Sequence, residues 1–322
     1  MSQVSHLKEL GGLPAFDFPG TDVEGEVELP GADTVAWRVR GDEHETEETW
    51  SEAFARFTAA VDTRQVRSLI VGVWEESYET SSADIVSTLV AAAADFPLLR
   101  ALFIGDIEGE ECEISWIQQA DVTPLLETFT GLREFGVRGG DGLALAPVKH
   151  AQLRRLVVET GGLPREVVRG IAASDLPALE ALDLWLGTSE YGADTEPQDL
   201  EPILSGARLP ALRHLALRNS EIQDAVAVAV AGAPVVARLE TLDLSMGILT
   251  DEGAAALLAA ALPAGGPLTR LNRLDLNHHF IGAGLQERLR AALEPHGVEL
   301  ALGAGEQDEY DGEIYRYVAV SE

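Results

Sequence analysis

Residues 239–262 read LETLDLSMGILTDEGAAALLAAAL, and residues 271–293 read LNRLDLNHHFIGAGLQERLRAAL. Each opens on the hexad L-x-x-L-x-L, passes through a short turn and continues into an apolar run of helical length. Side chains alternate between the two faces of an extended segment, so positions 4 and 6 of the hexad share one face, and positions 3, 5 and 7 share the other. The hexad recurs at 99 (LRALFI), 153 (LRRLVV), 179 (LEALDL) and 212 (LRHLAL), with degenerate copies at 66 (VRSLIV) and 132 (LREFGV). Its fourth residues, Leu69, Leu102, Phe135, Leu156, Leu182, Leu215, Leu242 and Leu274, are 33, 33, 21, 26, 33, 27 and 32 residues apart. That irregular period brackets and slightly exceeds the roughly 20 to 29 residues of leucine-rich repeats.

Between the copies, segments 82–94, 164–173, 197–205, 221–231, 250–262 and 282–293 read as helices. Thr250 or Asp251 stands where its side-chain oxygen can cap the first turn of one of them. Strict alternation of strand and helix predicts a parallel sheet with right-handed crossovers. Units of one handed offset stack into an arc with strands inside and helices outside. The expected fold is thus an α/β leucine-rich-repeat solenoid, a right-handed horseshoe with a concave parallel sheet, outer helices and terminal caps.

The two quoted stretches resemble the ribonuclease-inhibitor-like class of leucine-rich repeats, and the resemblance extends over about residues 66–302. EECEISWI at 110–117 and RYVAVSE at 316–322 are also similar to a small family of bacterial leucine-rich-repeat proteins whose genes lie beside those of radical enzymes. The chain departs from the eukaryotic inhibitors in its irregular periods, its few asparagines after the strands and its lack of repeat cysteines. Nuclease inhibition is therefore not carried over.

Composition sets outer limits. The 322 residues are 46% hydrophobic, enough for a long continuous core and too many for a disordered chain. No apolar stretch approaches the roughly 18 residues of a membrane span, and the opening MSQVSHLKELGG lacks the basic end and apolar run of an export signal. A cytoplasmic protein is expected. Fifty-four acids against 23 lysines and arginines leave a formal charge of −31, which opposes nucleic acid and anionic lipid. Cys112 is the only cysteine, so no disulfide framework or cysteine-rich metal site exists, and a small part-buried side chain is expected there.

Residues 1–62 are expected to form an N-terminal cap, with strand-like AFDF at 15, VAWRVR at 35 and a helix around 49–61. Twelve acids between 17 and 52 read as a solvated face. About eight repeats fill 63–302. Residues 303–322 form the other cap, where EIYRYVAVSE at 313–322 has the composition of a strand pairing with the last repeat, or of an edge strand offered to a partner.

Neighbouring strands lie about 4.8 Å apart, so equivalent positions form columns across the sheet. Position 5 runs Ile70, Phe103, Gly136, Val157, Asp183, Ala216, Asp243, Asp275, apolar in its first half and acidic in its second. Position 7 runs Gly72, Gly105, Arg138, Glu159, Trp185, Arg218, Ser245, Asn277, and sets Trp185 beside Arg218; position 3 brings His214 toward Asp183 and Asp243. A cap over Ile70 and Phe103, with Glu134–Arg155 and Arg138–Glu159 as weak surface pairs, is the plainer reading of the first half. Trp185 is expected to stand on the open face. The turns leaving the first two strands add a rim of Trp74, Glu75, Asp106, Glu110, Glu111 and Trp116, with 104–120 as an acidic insertion anchored by Ile114 and Trp116.

No phosphate-binding glycine loop, metalloprotease, dinucleotide or Cys-x-x-Cys motif is present. Ser5 and Lys8 match a serine–lysine spacing without its companion motifs, at what reads as an untethered terminus. His278 and His279, beside Asp275 and Asn277, lack a third metal ligand. The sequence thus points to a monomeric, non-catalytic module without cofactor or metal. It would bind a protein or peptide with a basic contact surface through the concave face (Phe103, Arg138, Asp183, Trp185, His214, Arg218, Asp243, Asp275, Asn277) and the adjoining rim. A bridging or self-assembling scaffold, or an accessory subunit of a neighbouring enzyme, is the alternative.

Overall fold

The computed structural model describes residues 4–21, 23, 27–41, 48–262 and 266–321. Of the acidic run at 17–52, Asp22, Glu24, Glu26, Asp42, Glu43, Glu45 and Glu47 lie outside these residues, as does Glu322. The chain opens with β1 (Glu9–Leu10), β2 (Leu13–Asp17), β3 (Ala36–Val39) and α1 (Trp50–Ala60). It continues through β4 (Ser68–Val71), α2 (Ala83–Ala91), β5 (Ala101–Ile104), α3 (Thr123–Thr128), β6 (Glu134–Arg138), β7 (Arg155–Glu159) and α4 (Arg165–Ala173). Next come β8 (Ala181–Gly187), α5 (Pro197–Ser205), β9 (His214–Ser220), α6 (Gln223–Ala231), β10 (Thr241–Asp243), α7 (Asp251–Ala261), β11 (Arg273–Asp275), α8 (Ala283–Leu293) and β12 (Glu299–Ala301). A hairpin of β13 (Gln307–Tyr310) and β14 (Glu313–Arg316) follows.

Strands β1 to β12 form one sheet in sequence order, antiparallel only between β1 and β2. The fold is mixed α/β with a long, mostly parallel sheet, compatible with an α/β solenoid. All eight hexads are strands, β4 to β11, and their registers align the fourth residues directly across the sheet. Trp37 of β3 and Leu300 of β12 extend that line at either end. These residues and position 6 of the strands join the apolar faces of the helices in one core. The expected helices are present, and Thr250 caps α7 by accepting from the Glu252 amide. Thr49 and Glu52 cap α1 reciprocally. Short α3 and strand β12 were not foreseen, and no helix lies between β6 and β7, the pair with the shortest spacing.

The expected pairing of 313–322 with the last repeat is incorrect. β14 pairs with β13 through a turn at Asp311 and Gly312, both left-handed at φ 52° and 80°. Asp-Gly favours that tight antiparallel turn, whereas a further parallel strand needs a long crossover. Residues 317–321 then run back over the ends of the parallel strands. His278 Nε2 lies 2.9 Å from the Tyr317 carbonyl, and the Ala319 amide donates to Met246 O at 2.7 Å. The Asn219 carboxamide donates to Val320 O at 2.6 Å and accepts from Val320 N at 3.0 Å, and Ser115 donates to Ser321 O. His278, Met246 and Asn219 occupy equivalent strand-end positions and share left-handed φ values of 60°, 68° and 54°. At Gly161 the tail comes so close that a Cβ would lie 2.3 Å from the Ser321 carbonyl.

Asn219→Ala removes the partner of both Val320 backbone groups and of Thr160 O, all buried. Stability is expected to fall by about 2–4 kcal/mol in urea titration, with residues 317–321 becoming open to proteolysis. An unchanged midpoint and unchanged protection would show that Asn219 does not hold the tail.

Candidate functional site

The sheet face away from the helices is divided in two by the N-terminal segment. Residues 4–11 lie along it, running from the C-terminal ends of the strands toward their starts: Val4 O accepts from Gly109 N, past the end of β5, and Gly11 meets Ser68 and Ala101, where β4 and β5 begin. Leu10 packs with Ala36, Ile70, Ala101 and Phe103 in a second apolar cluster, joined at its edge by Leu7, Leu13 and Ala15. The Phe103 ring lies over Gly136, where a Cβ would stand 2.3 Å from it. Ile70 and Phe103 are therefore covered. Phe103 and Arg138, each 2% exposed, are not available to an outside partner.

A chain of buried charges holds this segment down. Asp106, expected on the rim, is wholly buried. It accepts from Arg38 Nε at 2.7 Å, faces Arg138 Nη1 at 3.4 Å, and takes the Leu7 amide at 3.0 Å. Arg38 also meets Asp17 at 2.6 Å and donates to Leu7 O at 2.5 Å. Arg138 donates to Ser5 O at 3.1 Å and Ile107 O at 2.7 Å, and pairs with Glu159 at 2.8 Å. The Arg138–Glu159 pair is therefore buried structure, unlike Glu134–Arg155 at 3.2 Å, where Arg155 is 53% exposed. Burial alone would raise the Asp106 carboxyl, but His6, Arg138, Arg38 and the Leu7 amide together hold it below the usual carboxylate range. His6 Nε2 stands 3.4 Å from Glu111 and 3.8 Å from Glu108. Hydrogen bonding to Asp106 and Glu111 pushes the imidazole up to about 10. The terminus read as untethered is thus anchored, and Ser5 and Lys8 serve it through backbone carbonyls.

From β8 onward the face is less covered. Arg218 pairs bidentately with Asp183 at 2.6 and 3.0 Å, faces Asp243 at 3.6 Å and lies 5.1 Å over the Trp185 ring. Burial holds the Asp183 and Asp243 carboxyls above the usual range, while Arg218 pulls both the other way. Asp275 pairs with Arg273 at 2.7 Å, and the Asn277 amide donates to it at 2.9 Å. Two expectations need correction. Trp185 is only 8% exposed, in the same core cluster as Ala319 and Val320, and its indole N–H has no acceptor among the described residues. His214 turns to the Thr241 hydroxyl at 2.9 Å, away from both aspartates, because Thr241 is its direct neighbour in register.

The rim is mostly structural. Trp74 is buried and donates to Thr80 O, and Glu75 accepts from the first amide of α1 at 3.1 Å. In the insertion Ile107, Cys112, Ile114 and Ile117 are buried, whereas Trp116, expected as an anchor, is 55% exposed. Glu110 is exposed, and Glu111 faces His6 and Arg40. Among the described residues no group of three or more His, Cys, Asp or Glu side chains could hold a metal; His279 is buried, with Nδ1 accepting from Ile281 N. No helix among them is long and apolar enough to cross a membrane. The sequence reading missed His6, Leu7, Leu10, Arg38 and Asn219. Of these only Asn219 carried a signal, as an asparagine at the end of a hexad strand.

No protein-family model matches the sequence, and no curated protein does. Solved structures do: a crystallised Bacteroides fragilis protein, determined as a structural-genomics target, is similar with a TM-score of 0.73 at 28% identity, over 84% of this chain and 73% of that one.

The His6 clamp makes stability depend on pH. A histidine with pKa 6.5 when free and about 10 when folded contributes fully below pH 6.5, and its contribution is lost as pH rises through 10. Wild type is expected to exceed His6→Gln by about 2 kcal/mol at pH 6 in urea titration, with the gap closing by pH 10.5. A gap constant across that window sinks the assignment.

Proposed function

We propose that this chain is a leucine-rich-repeat solenoid of the ribonuclease-inhibitor-like class and acts as a non-catalytic binding module for a protein or peptide with a basic contact surface. The observation that carries this reading is the division of the sheet face. The chain's own N-terminal segment covers the apolar first half, while the half from β8 onward keeps Asp183, Arg218, Asp243 and Asp275 partly accessible. Two arginines among the aspartates leave that surface with excess negative charge, in a protein of formal charge −31. Such a surface steers a cationic partner and repels an anionic one. Rigid strands hold these side chains at fixed spacing, which suits recognition of a polypeptide.

A second reading, a bridging or self-associating scaffold, is favoured by the β13–β14 hairpin. Together with the residue that follows it, the hairpin exposes Tyr310, Ile314, Tyr315 and Tyr317 by 70, 52, 42 and 51%. Exposed aromatics of this kind mark contact sites. Deleting the tail would confound a test, since Val318, Ala319 and Val320 are buried. Ile314→Ser with Tyr315→Ser is the cleaner variant.

The expected outcome of affinity capture from host lysate at physiological salt is a basic protein held by wild type and by the hairpin variant. Its recovery falls about tenfold or more with Asp243→Asn/Asp275→Asn. Recovery that depends on the hairpin instead, with a sedimentation coefficient that drops in Ile314→Ser/Tyr315→Ser, would favour the scaffold.

A further inference from the structure

We infer that the Asp183–Arg218–Asp243 cluster seats the backbone of an extended basic peptide running antiparallel to the strands, as the Arg138 cluster seats residues 4–11 of the chain itself. The inference rests on the reading of this face as a binding surface and specifies what is read there. The two clusters share an arginine at the same position and the same kinds of neighbour. Arg138 and Arg218 both hold position 7 of their strands, and each guanidinium lies over an aromatic ring, Phe103 at 5.7 Å and Trp185 at 5.1 Å. Each also stands between two carboxylates, Glu159 and Asp106 for Arg138, Asp183 and Asp243 for Arg218.

They differ in what fills the remaining hydrogen-bonding positions. Arg138 donates to the carbonyls of Ser5 and Ile107, and its carboxylate partner Asp106 accepts the Leu7 amide. One ion pair thereby supplies both a donor and an acceptor to an extended segment, and 2% of Arg138 remains exposed. Arg218 makes no hydrogen bond to a backbone carbonyl among the described residues. Its Nη1 lies 3.6 Å from Asp243 and 3.7 Å from the Met246 sulfur, and 22% of its side chain is exposed. Trp185 beneath it, nine-tenths buried, has an N–H without an acceptor. Small residues lie beside it too: Ala216 stands in register between Asp183 and Asp243, and Ala181 precedes Asp183 by two positions on the same face. An occupant of this cluster offers a carbonyl to Arg218, an amide to a flanking carboxylate and a small apolar side chain to the alanines. A lysine on the side of the peptide toward β10 and β11 faces Asp243 and Asp275.

The test separates backbone reading from charge alone. A capped peptide of about ten residues, alternating lysine and serine around a central leucine, is titrated against the full chain at physiological salt, beside the same peptide N-methylated at alternate amides. N-methylation leaves the charge intact and removes the donors. The expected result is about tenfold weaker binding of the N-methylated peptide to wild type, a gap that closes in Asp243→Ala, which removes the acceptor, together with about tenfold weaker binding of the parent peptide to Arg218→Gln. Urea midpoints of both variants near wild type establish that they fold. Equal binding of the two peptides by wild type, or a gap untouched by either substitution, overturns the inference while the proposed binding module stands on charge. Binding of neither peptide at millimolar concentration overturns both.

Discussion

The constraint on which everything else depends is register. One apolar residue in each unit stands level with its neighbours from Trp37 to Leu300, and the helices pack against that line. Because side chains alternate with period two, a slip of one residue in any unit would turn its leucines out and its charges in. Irregular spacing between units is tolerated because length varies in the connections and not in the hexads. The same register creates the columns on the other face, so the geometry of Asp183, Arg218 and Asp243 follows from the core beneath them.

Both ends of the chain return to this frame, by different chemistry. The N-terminal segment is held by buried ion pairs that also bond its backbone. Asp106, with no exposed surface, meets Arg38, Arg138 and the Leu7 amide at once, so its charge is met on several sides. Removing any one partner would leave a buried charge partly uncompensated, the situation in which buried pairs matter most. The tail at 317–321 is held by neutral hydrogen bonds, chiefly the paired amide of Asn219.

How much could be read from the sequence follows from the range of each interaction. Hexads and helical runs carry their period within a few residues, so β4 to β11 and seven of the helices were legible, and so was the position of Trp185 beside Arg218. α3 is too short to show a period, and β12 lacks the opening leucine of a hexad. Covering of the first half of the face was foreseen only as one reading, on the apolar character of Ile70 and Phe103. That residues 4–11 do the covering was not, because His6 and Leu7 meet Asp106 about one hundred positions away with no local pattern to mark it. Trp185 looked exposed because the strand pattern says which way a side chain points and nothing about what returns to lie over it.

The tail has a consequence for how the protein comes into being on the ribosome. Asn219 waits for Val320, 101 residues later, and Ser115 for Ser321, 206 residues later. A stack of units could otherwise assemble in the order of synthesis, each docking on the one before. Here the middle units stay unfinished, with the strand ends beneath the tail still open to solvent, until nearly the whole described chain has emerged. Nascent chains therefore have a long interval in which the strand ends around Asn219 and Met246 are uncovered, and completion is a late closure that ties early and late units into one body.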